Sequence, residues 1–140
     1  MKRLIVFAAA LFAVAGCETV QHGTTTLDPT RSVSIARSQF DDIPVPEGLQ
    51  IITLGNRSFT YERGGVRVGR LEYSGPVAGD DVVGFYRANM PLQPYGWTLT
   101  EEKREDASAS MLFRKGSAKC VLSISLGTRN STLTIDVTSE

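Results

Sequence analysis

Residues that could carry out chemistry are scarce in this chain, which has one histidine and two cysteines among 140 residues. The single histidine, His22, lies in a segment rich in Thr and Ser, and a lone histidine makes neither a metal site nor a catalytic base. Adjacent carboxylates include those at residues 41–42, 80–81 and 101–102. These pairs fall in a boundary segment, at the start of a predicted helix and on opposite faces of a predicted strand. We therefore expect no enzyme activity, no metal and no cofactor.

An excess of positive charge is also missing. Lys and Arg together number 15, as do Asp and Glu, and the chain from residue 17 onward keeps 13 basic and 15 acidic side chains. Nucleic-acid-binding domains usually present a basic face, so we expect no nucleic acid as a partner. Long apolar runs are absent as well, because none approaches the roughly 20 residues that a membrane-spanning helix needs.

The first seventeen residues, MKRLIVFAAALFAVAGC, have the layout of an export signal. Two basic residues follow the initial methionine, and residues 4–14 form an apolar run that fits the roughly 7–15 residues of a signal-peptide core. Residues 14–17, Val-Ala-Gly-Cys, resemble the lipobox of bacterial lipoproteins. The resemblance implies that a diacylglycerol is joined to the thiol of Cys17, and that the chain is cut between Gly16 and Cys17.

Two details bear on processing and location. Residues 13–15, Ala-Val-Ala, offer ordinary signal peptidase an alternative cut after Ala15. Lipidation gives a durable attachment, since two or more acyl chains hold a protein persistently to a membrane. The residue after the cysteine is Glu18, whereas an aspartate there retains enteric lipoproteins in the inner membrane. We therefore expect a lipid-anchored envelope protein, in the outer membrane and facing the periplasm if the cell is Gram-negative.

Cys120 has no partner for an intrachain disulfide if Cys17 carries lipid. It lies in the segment KCVLSISLG, where apolar residues alternate with more polar ones. This pattern favours a small buried core residue. The alternative is a reactive thiol or an intermolecular disulfide, which an oxidising envelope permits.

The chain is expected to have three parts. Residues 1–16 form the signal peptide, residues 17–41 the lipidated cysteine with a flexible tether, and residues 42–140 a folded domain. The tether is rich in Thr and Ser, as flexible linkers are. Within it, Val33 and Ile35 alternate with serines, which is also typical of a short strand.

A β-hairpin is predicted near the start of the domain, over residues 57–74. Phe59 and Tyr61 alternate with polar residues on the first strand. Gly64 and the glycine after it suit a two-residue type I′ turn, which needs positive φ at both positions. The apolar residues of the returning strand change parity at Gly69, where we infer a β-bulge.

One helix is predicted, over residues 80–90 (DDVVGFYRANM), with Gly79 or Asp80 as its cap. The residues that recur at helical spacing and predict its buried stripe are Val82, Val83, Tyr86 and Met90. Four segments of alternating apolar and polar residues follow, which predicts an antiparallel sheet covered on one side. We expect an α+β, two-layer domain, with the helix packed on the sheet and the order β-β-α-β-β-β-β.

The stretch VVGFYRANMPLQPYGWTL is similar to a pattern in many uncharacterised bacterial envelope lipoproteins. The pattern is a helix with Phe-Tyr-Arg-x-x-Met, a short break and then Gly-Trp at the start of a β-meander. The segments IPVPEGL and GGVRVGRLEYSG resemble the same group, so the resemblance covers about residues 42–138. It implies a helix-grip domain like the small domains of the outer-membrane assembly lipoprotein BamC. It implies no activity.

Two functions stay open at this point. The first is a membrane-anchored, non-enzymatic binding or scaffolding module for another envelope protein, with exposed sheet edges as contact sites. The alternative is a module that binds a small ligand or the cell wall in a pocket between helix and sheet. In that case Tyr86, Arg87 and Trp97 are the candidate binding residues. The sequence does not determine the oligomeric state.

Overall fold

The computed structural model describes residues 35–36 and 39–139. The predicted signal peptide, the predicted lipidation site Cys17 and most of the tether lie outside these residues. Three two-residue strands come first in the described part: β1 (Ile35–Ala36), β2 (Val45–Pro46) and β3 (Gln50–Ile51). The longer elements are β4 (Phe59–Arg63), β5 (Val66–Gly75), α1 (Gly79–Asn89), β6 (Thr98–Arg104), β7 (Ser108–Lys115), β8 (Ala118–Ser125) and β9 (Ser131–Ser139).

The main sheet has seven strands, and every pairing in it is antiparallel. Its order is β3-β5-β9-β8-β7-β6, and β4 pairs with the same side of β5 as β3 does. The α+β class is therefore confirmed, and the part of the chain that the structure describes has one α-helix. The detailed order differs from the predicted one, because the short strands β1, β2 and β3 precede the hairpin. Such short pairings leave too weak an alternation to be recognised from sequence.

Helix α1 covers one face of this sheet, where it contacts β8 and β9. The predicted helix stripe is buried, with Val82, Val83, Tyr86 and Met90 each at most 1% exposed. On the sheet, the buried side chains alternate along each strand, as the pattern predicted. Those that are fully or almost fully buried include Met111, Phe113, Cys120, Leu122, Leu133 and Ile135.

Packed structure reaches further toward the N-terminus than the predicted domain boundary at residue 42. Strand β1 pairs with β2, and Phe40 is only 4% exposed. Phe40 belongs to the same core cluster as Ile43, Val45 and Leu49. The segment before the hairpin therefore contributes side chains to the core that the helix does not supply.

The β-bulge predicted at Gly69 is wrong. Strand β5 pairs with β9 in unbroken register from Val68 to Gly75, so Gly69 is a regular strand residue. A Cβ at this position would lie 2.8 Å from the Cζ atom of the Phe40 ring. Glycine is needed because the ring packs directly on the strand backbone. The valines on the other parity, Val66 and Val68, face the uncovered side of the sheet.

The structure confirms the predicted turn but not the predicted helix cap. Gly64 and Gly65 have φ values of 61° and 84°, as a type I′ turn requires, so that prediction is confirmed. The helix begins differently, because its N-cap is Ala78, whose side chain makes no capping hydrogen bond. Gly79 is the first helical residue, and a Cβ there would lie 2.3 Å from the carbonyl oxygen of Ser125. Close packing on the end of β8 thus explains this glycine.

Candidate functional site

The three residues predicted as a binding group do not share a surface. Tyr86 is 0% exposed and Trp97 is 1% exposed, so both are core residues. The indole Nε1 of Trp97 donates a hydrogen bond to the backbone carbonyl of Asp42, at 2.7 Å. Tyr86 packs edge-on against the Phe85 ring. No ligand can stack on either ring without opening the core.

Arg87 is on the surface, but its guanidinium is already engaged. It donates to both carboxylate oxygens of Glu102 on β6, with Nε 3.2 Å from Oε2. A second ion pair between the same two elements joins Asp80 to Arg104. These pairs bind the helix to the edge strand β6. The structure therefore places Arg87 in an exposed ion pair between the helix and the sheet.

A charged cluster that the sequence did not reveal centres on Asp42. Its carboxylate accepts a hydrogen bond from Arg67 at 2.6 Å and one from Lys115 at 3.0 Å. The two cations also lie over aromatic rings, Arg67 over Phe40 at 4.3 Å and Lys115 over Trp97 at 5.8 Å. Cations favour the negative faces of such rings. The cluster fastens the N-terminal segment to the hairpin and to the β7–β8 turn.

The ionisation of Asp42 follows from this setting. Burial alone would raise the pKa of the carboxyl group, but hydrogen bonds from Arg67 and Lys115, with their positive charges, outweigh it. The net result is a pKa below the ordinary value. Opposite charges that close to a carboxylate favour its charged form. Asp42 is therefore a structural anion, because its charge is paired with Arg67 and Lys115 and links three parts of the fold.

Cys120 is a free, buried cysteine, as predicted. Burial raises the pKa of its thiol, which keeps the thiol protonated and unreactive. Tyr86 lies nearby, and burial raises the pKa of its hydroxyl well above the usual range. Among the described residues, that hydroxyl has no hydrogen-bond partner. The Cys120 thiol and the Tyr86 hydroxyl are thus both buried core groups, and neither is in a reactive state.

The two edges of the sheet differ in chemistry. Strand β6 carries four consecutive charged residues, Glu101 to Arg104, and its register shifts between Leu99 and Glu101. Charges and irregular register are the devices by which natural proteins prevent edge strands from pairing. The salt bridges to the helix restrain β6 further. This edge is protected.

Strand β4 forms part of the opposite edge. It has neither a run of four charged residues nor a register shift, and its two charged residues, Glu62 and Arg63, lie at its C-terminal end. Its sequence is FTYER, with Phe59 54% exposed and Tyr61 53% exposed on the uncovered face of the sheet. Val66 of the neighbouring strand is 49% exposed on the same face. In the part of the chain that the structure describes, no strand pairs with the outer side of β4. Large exposed apolar groups beside an unpaired backbone mark an interaction surface. We call Phe59, Tyr61 and Val66, with the outer backbone of β4, the β4 edge.

Among residues 35–36 and 39–139, no three His, Cys, Asp or Glu side chains are grouped so that they could hold a metal ion. Over the same residues, no helix has the length and apolar character required to cross a membrane. No protein-family model matches this chain, and neither a curated protein nor a solved structure matches it. The resemblance to envelope lipoproteins remains a prediction from the sequence.

Proposed function

We propose that this protein is a lipid-anchored, non-enzymatic scaffolding module of the bacterial envelope that contacts other proteins through the β4 edge. The anchor rests on the apolar run and the Val-Ala-Gly-Cys sequence ending at Cys17. The contact surface rests on one structural observation. Phe59 and Tyr61 lie exposed on an edge strand whose outer side has no partner strand among the described residues, whereas β6 carries four consecutive charged residues and a register shift.

Strand addition gives such an edge its binding chemistry. A second extended segment can satisfy the outer N–H and C=O groups of β4, while its side chains pack on Phe59 and Tyr61. The pocket alternative is less well supported, because Tyr86 and Trp97 are enclosed in the core and Arg87 is paired with Glu102. We therefore place the function on the edge of the sheet and not between helix and sheet.

The anchor is tested by labelling cells with a fatty acid. Wild-type protein should take up label and sediment with membranes, and the Cys17→Ser chain should take up none. Wild-type protein without label would refute the lipid anchor. A soluble, unlabelled wild-type chain that starts at residue 16 would point to cleavage after Ala15 instead.

The contact surface is tested by cross-linking intact envelopes and comparing the proteins joined to each variant. Tyr61→Lys places a charge in the β4 edge, and Leu92→Lys is its matched control, since Leu92 is 58% exposed and lies between the helix and β6. Cross-linked products should be lost in Tyr61→Lys and kept in Leu92→Lys. Equal products from both variants would show that the edge is not the contact surface.

A further inference from the structure

We propose that β4 pairs with the β4 of a second copy of this chain, antiparallel and about a twofold axis at Tyr61. This inference deepens the proposed scaffolding function, since it names the partner of the β4 edge, and it rests on that function for the membrane anchor. It follows from the backbone geometry of the hairpin and from the order of side chains in FTYER.

The direction of the backbone groups in β4 is fixed by the hairpin. The N–H of Arg67 donates to Ser139 Oγ on β9, which is the side of β5 away from β4. Arg67 is opposite Glu62, so this pair is not hydrogen-bonded between β4 and β5. The N–H and C=O of Glu62 therefore point to the outer side of β4, and alternation directs those of Thr60 the same way. The backbone N–H and C=O groups of Thr60 and Glu62, which are two residues apart, are therefore available for pairing with another strand.

Side-chain chemistry selects one register for pairing with an identical strand. With Tyr61 on the twofold axis, Phe59 lies opposite the second copy's Arg63, which allows a cation–π contact on each side of a tyrosine pair. Thr60 lies opposite the second copy's Glu62, and these are the residues whose backbone groups point outward. Their four backbone hydrogen bonds surround a central pair in which side chains come closest.

Neighbouring registers bring like charges together. A register centred on Thr60 places Arg57 opposite the second copy's Arg63. One centred on Glu62 places two glutamates directly opposite each other, which is unfavourable in a sheet. The register centred on Tyr61 avoids both conflicts. It also keeps the uncovered faces of both sheets on the same side, as a continuous sheet requires.

Twofold pairing closes the assembly at two copies. It uses the same edge on both chains, and the remaining outer edge, β6, is protected by charge and by its register shift. A five-residue strand makes a small interface. Anchoring both copies in one membrane raises their effective concentration, so this weak pairing suits an anchored protein.

Disulfide trapping in envelope membranes tests the register. Single variants Tyr61→Cys, Thr60→Cys and Glu62→Cys of the full chain are oxidised and separated on non-reducing gels, beside wild type. In the proposed register, the two Cα atoms at position 61 lie about 4.5 Å apart, within disulfide range. Those at positions 60 and 62 lie diagonally, at about 7–8 Å or more, which is too far to bridge without movement. Tyr61→Cys should therefore give at least about fivefold more dimer than either neighbour.

The other possible results of the trapping experiment separate a failure of the β4 pairing from a failure of the proposed function. Strongest linkage at position 60 or 62, equal linkage at all three positions, or no linkage at all would overturn the proposal. A reducible adduct of another size would identify a different partner, so the proposed function would stand and this inference would fail. A wild-type dimer that depends on Cys17 would show a free thiol there, which contradicts the anchor alone. The Cys variants would then be oxidised in the Cys17→Ser chain, where the same order of linkage at positions 61, 60 and 62 supports the proposal and any other order overturns it.

A second measurement avoids added cysteines. The detergent-solubilised full chain should sediment as a concentration-dependent dimer, and Tyr61→Lys, which places two lysines opposite each other, should weaken dimerisation at least about tenfold. Leu92→Lys should dimerise like wild type. A dimer that is unaffected by Tyr61→Lys would refute pairing through β4.

Discussion

Replacing Asp42 with asparagine should destabilise the domain and remove a specific part of its pH dependence. Asp42 joins three distant parts of the fold, since it accepts hydrogen bonds from Arg67 and Lys115 and its backbone accepts from Trp97. Asparagine keeps the shape and the backbone contact but loses the negative charge. The side chain of Arg67 is only 15% exposed, so its charge would lose its partner in a poorly hydrated place.

The magnitude follows from the two charged hydrogen bonds. Hydrogen bonds to charged groups contribute about 1.5–3 kcal/mol each when buried. Asp42 retains 22% exposure and asparagine can still accept one bond, which reduces the loss. We expect Asp42→Asn to lower the free energy of unfolding by about 2 kcal/mol at pH 7. Asp41→Asn is the control, because Asp41 is the exposed neighbour, and it should change stability by less than about 0.5 kcal/mol.

The pH dependence has a definite sign. The pKa of Asp42 is lower in the folded state than the ordinary value of about 3.9 expected in the unfolded chain. Its contribution is therefore complete above that value and is lost as the pH falls through the folded pKa. Urea melts of wild type and Asp42→Asn between pH 7 and pH 3 should show a difference that shrinks on acidification. A difference that stays constant, or one below about 0.5 kcal/mol at pH 7, would refute the reasoning.

Four further predictions concern the stability of the domain, and the free energy of unfolding is measured in each case by denaturant melts. Tyr86→Ala should cost about 3 kcal/mol or more, and Tyr86→Phe should be neutral or stabilising because the hydroxyl has no partner among the described residues. Arg87→Ala should cost less than about 1 kcal/mol, so a larger loss would contradict its surface role. Cys120→Ala should cost on the order of 1 kcal/mol, and the wild-type thiol should react with thiol reagents only after unfolding. Gly69→Ala should cost about 1–3 kcal/mol, because the new Cβ would meet the Phe40 ring, and unchanged stability would contradict that packing.

Sequence reasoning succeeded where the signal is local. Strand alternation, the helical stripe and the Gly64-Gly65 turn each depend on residues within a few positions of one another. Each was confirmed because neighbouring side chains alone decide which face is apolar. Burial of Cys120 was predictable for the same reason, since its parity on β8 matches that of Leu122.

The errors involve partners that are distant in the sequence. The change of parity at Gly69 predicts a bulge, but the glycine is explained by the Phe40 ring, which lies 29 residues earlier in the sequence and packs where a side chain would be. The sequence places Asp42 at a domain boundary, but its partners Arg67 and Lys115 lie 25 and 73 residues away. No periodic pattern connects such positions. Only the folded arrangement shows that a boundary carboxylate fixes the N-terminal segment in place.

Stability and interaction are carried by different parts of this molecule. The ion pairs between distant elements, around Asp42 and between α1 and β6, involve no residue of β4. Within the described residues, strand β4 pairs with the sheet through β5 alone, and its five residues are all exposed. Phe59 and Tyr61 thus contribute little to the core, and an exposed strand could use threonine or lysine in their place. Substitutions at Tyr61 should therefore change association without unfolding the domain, so a loss of binding in Tyr61→Lys can be attributed to the edge itself.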